Sequence, residues 1–468
     1  MTALAAPSVD SRKARRVPGP KGRPVLGVLP ELQADPLGYL STVAADHGDI
    51  VALPMGPRTV YMLNDPSLID HVLRANYRNY RKSDFYLKLR PVFGDGLILN
   101  DGEVWKRHRR MAQPAFHMNQ LRTLADGMAQ SARTTAEAWQ TAADSGRAVD
   151  VGGAMMRVSL EVAVKALLGA DLGPRTQTVM DSADAMLAEA ERRIWSFADL
   201  PLWVPTKRNR IVREALNALD AVLLDVIAKR RRDGPGDDLL SMLIAARDDE
   251  TGEGLSDAEL LNEAKTIVVA GHETTGAALS WTLSLLAQHP SIRTQVEAEV
   301  DGVLAGRSPG FEDVPQLDLT RRVIQEAMRL YPPAWTISRT AIGDDAMAGY
   351  QFRKGATFML CPYLIQRNAR HWPNPERFDP DRFTREAEAA RHAFAYFPFG
   401  GGARKCIGDR FAMMEMAIVI ASVVQRYRLD HTVGANITPV PMISLRPGPD
   451  LPMTVTRRTV RAATAAAA

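Results

Sequence analysis

Cysteine is nearly missing from this chain: its 468 residues hold two, Cys361 and Cys406. So low a count excludes a disulfide framework and points to a reducing compartment. Neither cysteine has a second Cys or a His at zinc-ligand spacing, which argues against a tetrahedral zinc centre. Uninterrupted apolar runs are missing too. The richest stretch, TIVVAGHETTGAALSWTLSLLA (266–287), carries His272 and Glu273 at its middle, and a lipid-facing span of ~20 residues does not tolerate such a pair. Behind the basic residues of the N-terminal MTALAAPSVDSRKARR comes VPGPKGRP rather than an apolar segment. Neither a signal peptide nor a twin-arginine leader is read there, so the chain is expected in the cytoplasm with no membrane anchor. An excess of one charge is lacking as well: the net charge of +4 is too mild to argue for nucleic acid.

What is present suits a large folded unit. Hydrophobic residues make up 46% and charged residues 24%, values that support a sizeable core. Length alone suggests about three domains, but no internal repeat or linker-like composition shift divides the chain. One catalytic unit over 17–460 is expected, between a loose tail at 1–16 and an alanine-rich one at 461–468. Apolar spacing at i, i+3, i+4 predicts helices over most of 66–330. GDIVALPMGPRTVYML (48–63) reads as a hairpin, and strand-like pieces return at 335–365 and 428–456. The expected fold is mainly α with a smaller β-rich part built from both ends of the chain. One helix should be unusually long. Ser256 and Glu259 form a capping box and Pro290 closes the far end, leaving ~32 residues, on the order of 48 Å.

Cys406 lies in FPFGGGARKCIG (397–408), among four glycines and two basic residues. A thiolate needs amide N–H groups, positive charge or a metal to stay ionised. The glycines let the backbone turn so that amides can face the sulfur, and Arg404 and Lys405 add charge. A phosphate-binding loop would need Gly-Lys-Ser/Thr, which is missing. The whole pattern, Phe399-x-x-Gly402-x-Arg404-x-Cys406-x-Gly408, resembles the haem-binding loop of the cytochrome P450 superfamily. Three further motifs agree with it. AGHETT (270–275), mid-way along the long helix, resembles the oxygen-activating motif. Its His272-Glu273 also begins like a zinc-protease H-E-x-x-H, but position 276 is glycine. Glu326-Ala-Met-Arg329 followed by PERFDPDRF (375–383) resembles a structural lock behind the cysteine loop, with Arg377 at the locking position. Trp105-Lys-Arg-His-Arg109 resembles a haem-propionate contact, as do Arg339 and Arg404.

The resemblance implies haem b (iron protoporphyrin IX) with Cys406 as axial ligand and Phe399 against it, and Ala270 over the haem. It implies that Thr274 and Glu273 act as an alcohol–acid pair presented at one level, and that Gly271 clears room for the flat cofactor. The implied enzyme is a monooxygenase that uses O2 to hydroxylate or epoxidise an apolar small molecule. A peroxide-using or isomerising relative, or a haem sensor, is the alternative. About 60 residues follow Cys406, too few for a fused flavin reductase, so a separate ferredoxin with its NAD(P)H-dependent reductase is implied. Lys106, Arg110 and Lys405 are expected to face that partner, and no nucleic acid is expected. The pocket walls are expected from 83–99 and 333–337, with Phe85, Tyr86, Leu87, Phe93 and Trp335 against a terpenoid, fatty acyl or steroid-like guest.

Overall fold

The computed structural model describes residues 15–196, 199–248, 250–448 and 450–458. The expected tails lie outside these residues, apart from Arg15 and Arg16. Helices fill most of the chain between residues 102 and 330, as the periodicity predicts. The 48–63 hairpin forms with Ile50–Met55 antiparallel to Arg58–Leu63. Its two-residue turn uses Gly56 at φ +60°, a left-handed conformation open to glycine. That hairpin joins strands from the far end of the chain. Arg58–Leu63 pairs in parallel with Thr357–Leu360, which pairs antiparallel with Ile337–Ala341 and through it with the edge strand Tyr80–Lys82. A second sheet unites Ala148–Asp150, Pro452–Arg457 and Tyr427–His431.

The long helix runs Asp257–Gln288, 32 residues, with both halves of the Ser256–Glu259 capping box in place. It is the axis of the molecule. From Thr275 to Leu286 every residue is buried, which explains why its sequence shows a continuous apolar run instead of one stripe. Gly276 makes the crossing with the Val151–Val162 helix possible: a Cβ there would stand 2.6 Å from Met156 Sδ and 3.0 Å from its Cα. Trp281 stacks on Tyr331 with ring centroids 3.6 Å apart and donates to the Leu445 carbonyl at 2.9 Å. The Asp409–Arg426 helix, which follows the cysteine loop, is buried almost as thoroughly. The cysteine loop therefore hangs between two elements that cannot move independently of the core. No helix among the described residues is long and apolar enough to cross a membrane.

Candidate active site

A cavity of about 370 Å³ separates the middle of the central helix from the cysteine loop. The loop shows why its glycines stand where they do. Gly400 and Gly402 adopt φ of +67° and +65°, and a Cβ on Gly402 would fall 1.7 Å from the Leu73 carbonyl oxygen. The turn is closed by the Cys406 amide donating to the Phe399 carbonyl at 2.9 Å and by Arg109 Nη1 donating to the Lys405 carbonyl at 2.9 Å. Cys406 ends up on the cavity wall together with Phe399. Surrounding protein pushes the thiol pKa up, against the Gly408 amide and the charges of Arg109 and Lys405, which favour the thiolate. Cys361 is remote from this chemistry: fully buried, its Sγ donates to the Trp335 carbonyl at 3.1 Å.

The rim of the cavity carries cations that form no ion pair among the described residues. Arg339 is buried and its guanidinium meets only the Ser338 carbonyl, at 2.8 Å, and the Tyr86 hydroxyl. Arg109 finds only the Lys405 carbonyl. Lys82 donates to the carbonyls of Leu97, at 3.1 Å, and Ile98. Burial lowers the pKa of each, most strongly for Lys82. None of the three makes an ion pair among the described residues, although Glu263 shares the cavity lining and acts on Lys82 from a distance; the two arginines leave room for an anionic ligand there. Arg404 also lines the cavity, with an acid of its own. It is paired with Asp101 and lies over the Trp105 ring, 4.1 Å from the centroid, so its charge is answered within the protein. Trp105 lines the cavity on its other side.

On the central helix, Ala270, Gly271 and Thr274 line the cavity. Thr274 is exposed in the middle of a buried helix, and its hydroxyl donates to the Ala270 carbonyl at 2.6 Å. Glu273 does not stand beside it. The carboxylate is 2% exposed, accepts from Arg446 (Nε at 2.7 Å) and Ser444, and is absent from the cavity lining. Consecutive helical residues project about 100° apart, so sequence adjacency did not place the acid with the alcohol. Gly271 lines the cavity, and a Cβ there would also come within 3.0 Å of Ala163 Cβ, so packing against the neighbouring helix favours the glycine as well. On the far face of the helix, His272 is buried with neither ring nitrogen partnered and borders a second cavity of about 210 Å³.

Glu326 and Arg329 form a fully buried ion pair, Nε to Oε2 2.6 Å. The second arginine of the lock is Arg382, Nε 3.5 Å from Glu326 Oε1, not Arg377, whose exposed side chain leaves only its carbonyl to accept from Arg329 at 3.2 Å. The segment repeats Pro-x-Arg-Phe, at 375–378 and again at 380–383, and the second copy packs inward. Gln366 carries the lock to the loop: its amide donates to the Met328 and Arg329 carbonyls, and its oxygen accepts from the Phe397 amide at 3.1 Å. No sequence motif pointed to Gln366.

The pocket walls come from the expected segments, through Tyr86 of the expected residues and otherwise through other side chains. Tyr86, Leu97 and Ile98 line the cavity from 83–99, and Pro333, Ala334 and Ile337 from the other wall. Phe93 and Trp335 are core residues, Trp335 donating to the Met442 carbonyl at 2.8 Å, and Phe85 does not reach the cavity. On the outer surface Lys106, Arg110 and Lys405 are exposed, yet each is met locally: by Glu103 at 2.6 Å, Asp248 at 2.7 Å and Asp409 at 2.5 Å. The expected free basic face is largely neutralised.

One cysteine opposite an open mid-helix threonine, with cations at the cavity's edge, suits a cofactor that carries acidic groups and is held by sulfur. The chain belongs to the cytochrome P450 family, whose model matches residues 17–451. It is 36% identical over 443 residues to cyclooctatin synthase of Streptomyces melanosporofaciens, covering 94% of this chain and 95% of that one. To pentalenene oxygenase of Streptomyces avermitilis it is 33% identical, covering 94% and 97%. Its fold superimposes on the crystal structure of the cytochrome P450DA heme domain with a TM-score of 0.86, at 27% identity and covering 96% and 99%. The fold is thus the P450 fold, and the enzyme is a haem-dependent monooxygenase with a cysteine thiolate as axial ligand. It acts on an apolar substrate with O2 and an electron-transfer partner.

Proposed function

We propose that the chain oxidises a terpenoid, and that 17–460 acts as one catalytic unit in the cytoplasm with electrons from a ferredoxin and its NAD(P)H-dependent reductase. The observation that carries the substrate reading is the cavity lining. Above the cation rim it is apolar and mostly aliphatic, with Ile98, Leu167, Leu243, Ile267, Ala270 and Ile337 among its residues. Such a surface binds by shape and burial, offering few polar groups to orient a hydroxylated guest. The names of the similar proteins, pentalenene oxygenase and cyclooctat-9-en-7-ol 5-monooxygenase, support the same class.

Each residue has a part in this reading. Bound haem supplies the redox-active iron at which O2 is reduced and one oxygen atom is passed to the substrate. Cys406 ligates it through sulfur, with Phe399 alongside, while Arg109, Arg339 and Lys82 answer its carboxylates and Trp105 backs the rim. Thr274 presents a hydroxyl that can turn from the Ala270 carbonyl into the cavity and hold a proton where oxygen is reduced. Glu273, fixed by Arg446 and Ser444, reaches that hydroxyl only after leaving those partners, so its part is the slower supply of protons across the helix. A panel of cyclic terpenes, fatty acids and steroids, titrated for the spectral change as substrate displaces water from the haem, tests the assignment. Binding confined to fatty acids or steroids would overturn it.

A further inference from the structure

His108 is a buried titratable group that the oxygen chemistry does not use. It is 2% exposed, and its ring nitrogens face two carboxylates of the central helix: Nδ1 lies 2.7 Å from Glu263 Oε1 and Nε2 3.1 Å from Glu259 Oε1. Asn100 Nδ2 stands 3.3 Å from Nδ1. The other charges around the group are Arg107 on its own helix, bound to Glu259 at 2.7 Å, Lys82 on the edge strand, which feels Glu263, and Arg404 of the cysteine loop, paired with Asp101. An imidazole donates from both nitrogens only as the cation. Burial disfavours that cation, yet the two carboxylates outweigh it and hold the His108 pKa above its ordinary value. Glu259 has a side chain 30% exposed, whereas Glu263 lines the cavity next to Lys82. Hydrogen bonds therefore run from the surface to the cofactor rim.

We propose that the Glu259–His108–Glu263 cluster exchanges a proton in step with the charge on the haem, so that the reduction potential falls as pH rises through the cluster's titration. One electron enters the haem from the redox partner and up to one proton enters His108 from solvent; no covalent bond of the cofactor changes. The added negative charge sits in a low-dielectric cavity and favours the imidazolium. When the imidazole is neutral, the cluster carries one positive charge fewer beside the cavity, which weakens the positive field there. The titration belongs to the cluster, not to one residue.

The measurement is the midpoint potential of the haem-loaded protein, by spectroelectrochemical titration at constant ionic strength, from about pH 5.5 to about 9.5. The wild-type midpoint should fall across a window above the ordinary histidine pKa and level off on either side. His108→Gln, neutral at every pH, should give a level midpoint near the wild-type alkaline value. Glu263→Gln should move the fall to lower pH, since burial then faces one carboxylate instead of two. A level wild-type profile, a His108→Gln variant with the wild-type slope, or a Glu263→Gln variant with the fall unmoved would each overturn the proposal. Should His108→Gln load no haem, the position of the Glu263→Gln fall decides alone.

Discussion

The two cysteines sit in opposite settings. Burial pushes the Cys361 thiol up to about 12, while Cys406 opens on the cavity beneath Thr274. Cys406→Ala should abolish the red-shifted band of the reduced CO complex, and Cys361→Ala should retain it; the reverse pattern would remove Cys406 from its role. Thr274 offers a sharper test because its hydroxyl can be deleted while the thiolate and the rest of the pocket lining stay in place. General-acid contributions are typically 10²–10⁴-fold. Thr274→Ala should keep consuming NAD(P)H while product falls and hydrogen peroxide rises, and peroxide-driven turnover should suffer far less. An unchanged ratio of product to NAD(P)H would refute proton control by Thr274. The cysteine and the threonine were legible in sequence because each stands inside a short continuous motif. Glu273 was not, since what decides its direction is Arg446, 173 residues away.

Among the elements, the lock behind the cysteine loop makes the most discriminating prediction. Glu326, 0% exposed, has its carboxyl pKa raised by burial in spite of Arg329, so removing a partner leaves a charge with no water to turn to. Breaking such a pair costs about 3–5 kcal/mol, a large share of a typical margin of roughly 5–15. Glu326→Ala should yield little haem-containing protein. Arg382→Ala should share that defect in part, and Arg377→Ala, which keeps the carbonyl that Arg329 uses, should be close to wild type in haem content and thermal midpoint. If Arg377→Ala were the more damaging, the assignment of the lock to Arg382 would be wrong. The length of the central helix, its capping box and the hairpin were all readable, because local chemistry determines them. Which of two Pro-x-Arg-Phe copies packs inward depends on the Asp318–Leu330 helix it meets, and a lone sequence does not contain that contact.

For the whole molecule, charge holds distant segments together and ties stability to pH. Burial opposes ionisation of Glu259, but the Ser256 amide and hydroxyl, Arg107 and His108 together draw its pKa down to about 2 from the ordinary 4.5. A depressed carboxyl contributes stability above its unfolded pKa and loses it as pH falls through the folded one. The thermal midpoint should therefore drop steeply between about pH 4.5 and about pH 2, and Glu259→Gln should flatten that stretch of the curve; an identical acid slope in both proteins would count against the Glu259 clasp. Electron delivery is affected by the same pairing. With Lys106, Arg110 and Lys405 matched to acids, the rate with an acidic ferredoxin should weaken only modestly with salt, and Lys106→Glu with Arg110→Glu should slow it by repulsion. A rate indifferent to both would place the partner on another face. The mainly helical layout with a two-ended β part could be read from periodicity and breaks. Pairing among surface charges could not, because it depends on which loops fold back over which helix.

The cavity of His272 and the cavity of Thr274 lie on opposite faces of one helix at the same height. The buried part of the helix therefore has hollow space on both sides around Ala270–Thr274. Amide deuteration should enter that segment before it enters Ala277–Leu286, so the rod's packed half should open first from its inner end.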